Sequence, residues 1–157
     1  MIAFEYIKTK RYNGDTVLTE LFRTWAEIDL DALSKNFDAI RKRVGNKKIT
    51  AVVKANAYGH GAVNIAKALA DKADGFAVAT LEEAIELRQS GCKKDIIILS
   101  PVPSKLFGHC VKNNILPVIF SSDAAHELAA AAKAQKKIAG AYLAVDTGMS
   151  RDRKSVV

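Results

Sequence analysis

Cysteine is scarce in this chain: its 157 residues hold two, Cys92 and Cys110. They lack the paired spacing of a zinc site or a redox motif, and with no export signal ahead of them a disulfide framework is not expected. Histidine is almost as rare. His109 and His126 read as polar residues on helix surfaces, with no carboxylate or cysteine spacing that suggests a metal, and His60 sits in the glycine-containing loop over 55–60, where it helps shape the candidate site. Long apolar runs are missing too. Stretches such as residues 49–54 and 95–100 fall far short of the roughly 20 residues needed to cross a bilayer. Residues 1–11 contain no apolar segment closed by a small-residue cleavage site, which excludes the pattern of a secretory signal and leads us to expect a cytoplasmic protein.

What is present is a chain of domain size in which 49% of residues are apolar and 26% charged, enough to build one core. The net charge is +7, but Lys35, Lys42, Lys67, Lys94, Lys112 and Lys133 are spread over several predicted helices without interleaved aromatics. That distribution argues against nucleic acid as a partner. It leaves a mildly favourable field for a small ligand that carries phosphate.

From Thr24 onward, strand-like apolar runs alternate with amphipathic stretches, the pattern of parallel βα units. Asp31 is placed to cap a helix with Leu33, Phe37, Ile40 and Val44 on one face, ended by Gly45. Residues 49–54 follow as a buried strand, residues 55–60 as a glycine-containing loop and residues 62–73 as a helix. Residues 75–78 form the next strand. Thr80 and Glu83 make a capping box, with Gly91 as the stop of that helix. Further strands are expected over 96–99, 116–120 and 138–145, and further helices over 104–113 and 122–137. Asp123 and Lys133, Lys136 and Lys137 sit at the ends of the last helix where their charges suit its dipole. Strand ends recur about every 20 to 26 residues, a cadence shared by (β/α) barrels and doubly wound sheets. Residues 1–22 lie outside this rhythm and read as a tail or an extra strand. Residues 24–29 read as a strand that pairs elsewhere, and residues 152–157 as a foreign tail.

The chemically informative stretch is Val53-Lys-Ala-Asn-Ala-Tyr-Gly-His-Gly61. Lys54 ends an apolar strand, at the mouth where active sites of both architectures lie. Removing an amine from water favours its neutral form, and a neutral amine can condense with an aldehyde cofactor. By spacing alone, a lysine ending a strand is more often a snorkelling surface residue, and it is the identity of the motif that overturns this. The small residues after it let the backbone approach a ligand, and Tyr58 offers a hydroxyl four residues on.

This stretch resembles the cofactor-lysine signature of the alanine racemases, barrel-type enzymes that use pyridoxal phosphate. Related amino-acid decarboxylases share the Val-Lys-Ala-Asn core, while the continuation Ala-Tyr-Gly-His-Gly favours the racemases. Two further matches occur in the expected order, Arg23-Thr-Trp-Ala-Glu-Ile-Asp-Leu-Asp-Ala-Leu33 upstream and Val145-Asp-Thr-Gly-Met-Ser-Arg151 downstream. The resemblance implies an α/β fold, a partial (β/α)8 barrel of about five βα units over residues 23–151 without the carboxy-terminal β domain. It also implies a homodimer for the full-length enzyme.

By the same resemblance, Lys54 would bind pyridoxal phosphate as an internal aldimine and act as the base facing the D-enantiomer. Tyr58 would hydrogen-bond the cofactor phosphate, and Arg151 would face the substrate carboxylate, whose two oxygens suit a guanidinium fork. Racemisation needs a second proton donor on the opposite face, which in this family is a tyrosine from the carboxy-terminal domain of the partner subunit. One departure stands out: Ala144 occupies the position where many members carry a carbamylated lysine that orients the arginine. The expected function is interconversion of L- and D-alanine for peptidoglycan, with the chain as given a truncated and inactive fragment. A serine or broad-specificity racemase of the same fold, or a cofactor-carrying fragment without turnover, are the alternatives.

Overall fold

The computed structural model describes residues 7–9, 26–145 and 148. Strands β1 (Ile7–Thr9) and β2 (Ala26–Ile28) pair in parallel as a separate two-stranded sheet, so the run at 24–29 pairs away from the main sheet. Helix α1 spans Leu30–Val44 and is capped by Asp29, not by Asp31. Asp29 is the residue with extended backbone, and its Oδ1 accepts from Asp31 N and Ala32 N at 2.9 Å each. Asp31 instead lies in the first turn, where its charge complements the helix dipole. Of the predicted apolar stripe, Phe37 is buried and Leu33 partly so, while Ile40 and Val44 remain exposed.

Five parallel strands follow: β3 (Thr50–Val52), β4 (Gly75–Val78), β5 (Asp95–Ile98), β6 (Leu116–Ile119) and β7 (Tyr142–Leu143), adjacent in chain order. A doubly wound sheet reverses its strand order at a switch point. The strictly sequential order here is that of consecutive staves of a barrel. Between the strands run a short turn α2 (Lys54–Gly59), α3 (Ala62–Ala68), α4 (Leu81–Gln89), α5 (Phe107–Lys112, entered through a 3-10 turn) and α6 (Ser122–Ala134).

Alternation along the central strands builds the core. Phe76, Val78, Ile96 and Ile98 point to one face of β4 and β5 and pack with Ala66, Leu69, Ala84 and Leu87 of the covering helices. A second cluster joins α5 to α6 through Phe107, Val111, Leu128 and Ala132. The two outer strands differ from expectation. Residues 49–54 are not a buried strand: β3 is three residues long at the sheet edge, and Val52 is 44% exposed. The expected strand over 138–145 shrinks to Tyr142–Leu143, and Ile138 is almost wholly exposed. An edge strand has a neighbour on one side only, so its apolar residues find half the cover that β4 and β5 find.

Two arginines tie the loops at the amino-terminal ends of the strands. Arg88 donates to four backbone carbonyls, Cys92 O at 2.5 Å, Asn114 O at 2.8 Å, and Lys94 O and Asn113 O at 3.0 Å. Arg41 reaches Lys47 O and Lys72 O and pairs with Asp74 at 2.7 Å. The Arg41 hydrogen bond, together with the Ile49 amide, holds the Asp74 carboxyl below its ordinary range. That pair therefore supports the fold at neutral pH and is lost as pH falls through the lowered value.

Arg88→Met removes this donor from all four carbonyls and should cost roughly 2–4 kcal/mol of unfolding free energy in urea melts. A loss under about 0.5 kcal/mol, the level of an ordinary surface change, would refute the bracket. Burial pushes the Cys110 thiol up to about 11, whereas Cys92 is partly exposed. Iodoacetamide at about pH 8 should therefore alkylate Cys92 well before Cys110 in the folded chain, and equal rates without denaturant would contradict that burial.

Candidate active site

The segment carrying Lys54 is not an irregular connection like the glycine-containing loop expected over 55–60. Ala55, Asn56, Ala57 and Tyr58 have φ between 51° and 55° and ψ between 38° and 51°, a full turn of left-handed helix. For L-residues this conformation costs roughly 1–2 kcal/mol each, with asparagine the most tolerant of those present here. Surrounding contacts must hold it. Ala57 N donates to Val53 O at 2.9 Å, and Gly61 N to Asn56 O at 2.9 Å. The Asn56 side-chain oxygen accepts from Ala62 N at 2.9 Å, tying the turn to the start of α3. Nδ1 of His60 lies 2.9 Å from Ala57 O and 3.1 Å from Tyr58 O, which gives this histidine a local structural role. Gly61, at φ 87°, leads into α3.

One further tie comes from outside the segment. Glu83, the acidic member of the capping box on α4, turns Oε2 to Ala79 N at 2.7 Å and Thr80 N at 3.3 Å, while Oε1 accepts from Ala55 N at 2.6 Å. A single carboxylate thus joins the carboxy-terminal ends of β3 and β4. The capping box was legible in the sequence, but the bond to Ala55 was not, because it spans 28 positions.

Lys54 and Tyr58 are brought together on this turn, at the carboxy-terminal end of the sheet. Lys54 is partly buried, and among the described residues nothing binds its amine. Tyr58 is 61% exposed. A cleft of about 630 Å³ lies beside the turn, lined by Tyr58, His60, Val52, Asn36, Glu27 and Asp29 among others; Lys54 does not line it. Nor does Lys54 line a smaller cleft of about 310 Å³ beside the loop before β5. The signature segment thus borders the larger cleft through Tyr58 and His60, with Lys54 off it. Arg151 and the motif residues Asp146, Thr147 and Met149 lie outside the described residues. Ala144 is described, and its amide donates to Ile119 O at 2.9 Å. His109 and His126 are exposed on α5 and α6, and the described residues contain no cluster of three metal-ligating side chains.

Residues 28–152 match the family described as the alanine racemase N-terminal domain. The chain belongs to that family. It is 46% identical over 129 residues to the alanine racemase of Desulforamulus reducens, covering 81% of this chain and 35% of the relative. It is 42% identical over 128 residues to that of Clostridium novyi, covering 33% of it. Among solved structures it is similar to an alanine racemase of Clostridium difficile in complex with cycloserine, with a TM-score of 0.80, 40% identity, and 83% of this chain and 36% of that one covered. It is also similar to a histidine racemase of Leuconostoc mesenteroides, with a TM-score of 0.72, 27% identity, and 78% and 33% covered. The chain spans about a third of the length of the curated relatives it matches. In this amino-terminal racemase domain, the lysine signature is the segment that folds as the left-handed turn.

Asn56→Ala removes both the residue best suited to a left-handed backbone and the acceptor for Ala62 N. It should lower stability by roughly 1–3 kcal/mol. Equal urea midpoints for the two proteins would show that the turn draws no support from this side chain.

Proposed function

We propose that this chain is the amino-terminal part of an alanine racemase that binds pyridoxal phosphate through Lys54. The observation that carries the reading is that one turn, in a domain of this family, carries an amine with no partner among the described residues and a phenol four residues further on. The donor set fits the cofactor: the amine suits its aldehyde, and the Tyr58 hydroxyl suits a phosphate oxygen as hydrogen-bond donor. Bound, the cofactor supplies an electron sink that makes the α-proton of an amino acid removable. The amine at Lys54 Nζ is then the group that takes or returns that proton on one face. Tyr58 would hold the phosphate through its hydroxyl, and Arg151 would grip the substrate carboxylate through its guanidinium fork. A proton donor for the opposite face comes from outside these residues. The resemblance supports a cytoplasmic homodimer for the full-length enzyme, supplying D-alanine for peptidoglycan, and the dispersed lysines support a small-molecule ligand over nucleic acid.

Likeness to a histidine racemase favours a second reading, in which the same turn serves a racemase of broader specificity. The turn holds the cofactor in either case, so a substrate panel on the full-length enzyme separates the two. To test the shared premise, the chain is mixed with pyridoxal phosphate, reduced with borohydride and mapped by peptide mass. The expected label sits on Lys54 and disappears in Lys54→Ala. Label spread evenly over the surface lysines, or undiminished in the variant, would end this reading.

A further inference from the structure

We infer that Glu83 is a positioning residue for this site, acting through the left-handed turn and not through contact with the ligand. The inference rests on the reading of Lys54 and Tyr58 given above and assigns the group that keeps them in register.

Three observations carry it. The four residues 55–58 all hold a backbone conformation that L-residues avoid, so the turn needs outside support to persist. The Asn56 side-chain oxygen bonds to the adjoining start of α3, and His60 Nδ1 bonds within the segment. Among the described residues, the only side chain from another βα unit that hydrogen-bonds a backbone group of the turn is Glu83, at 2.6 Å from Ala55 N. That carboxylate is itself immobilised, because its second oxygen accepts from Ala79 N and Thr80 N while the Glu83 amide donates to Thr80 Oγ at 3.4 Å. A helix cap needs only that second oxygen. The first is directed across to the residue next to Lys54. The charge matters as well as the shape, because a carboxylate presents acceptors on both oxygens, whereas a glutamine amide must turn its NH2 toward one of the N–H groups.

The test compares Glu83→Gln with Thr80→Val in the 157-residue chain. Thr80→Val weakens the cap but leaves the bond to Ala55, so it is the control for capping alone. Amide hydrogen exchange is read at residues 55–58, and borohydride-trapped pyridoxal phosphate is read at Lys54. For Glu83→Gln we expect protection at Ala55, and the yield at a subsaturating cofactor concentration, to fall on the order of tenfold. For Thr80→Val we expect both to stay near wild type. Adding Ala55→Gly to Glu83→Gln should recover part of the trapping, since glycine adopts this backbone without penalty. Equal losses in both variants would reduce Glu83 to a helix cap and overturn the inference, as would unchanged exchange at Ala55 in Glu83→Gln. Should the wild-type chain trap no cofactor at Lys54, the functional reading fails; the exchange comparison still decides whether Glu83 holds the turn.

Discussion

The structure turns on a left-handed turn, four L-residues long, that has to be held against its own backbone preference. Such a conformation persists only where the surroundings over-determine it. Here that means Asn56 bonded forward to α3, His60 folded back onto two carbonyls, Ala57 packed into the core, and Glu83 reaching across from α4. In return, Lys54 and Tyr58 are placed on a short rigid piece and not on a flexible loop. On the proposed reading this matters, because a covalent link and a phosphate contact to the same small ligand would tolerate little relative movement.

The remainder of the fold supplies a frame for that turn. The central strands β4 and β5 are buried on both faces, and helices α3 and α4 cover one side with small and branched residues. Because β4 is fixed by this packing, Ala79 and Thr80 at its end are fixed too, and through Glu83 so is Ala55. At the opposite end of the sheet, Arg88 and Arg41 do for the loops what Glu83 does for the turn, each supplying charge to several backbone groups at once. Arg41 and Asp74 also bond to each other, so at that end of the sheet one ion pair and several backbone groups share the same side chains.

Much of this was readable beforehand. Hydrophobic alternation located the five main-sheet strands to within a few residues at most ends, and the helix bounded by Thr80 and Gly91 appears with both halves of its capping box. Errors gathered where neighbours decide the outcome. Asp31 was the wrong cap because Asp29, two residues earlier, is the one left with extended backbone. The apolar run at 49–54 suggests a buried strand, yet it forms the sheet edge and stops at Val52. Residues 138–141 are as apolar as a strand but lie outside β7.

The amino-acid sequence by itself determined the period of the elements, the parallel βα character and the identity of the lysine segment, because each is a local matter of side-chain spacing or residue type. Only the tertiary structure decided the sequential strand order, the edge position of β3 and the left-handed path from Ala55 to Tyr58. The reason is physical: nothing within Ala-Asn-Ala-Tyr prefers that backbone enough to adopt it unaided, and the carboxylate that steadies it lies a strand and a helix further along the chain.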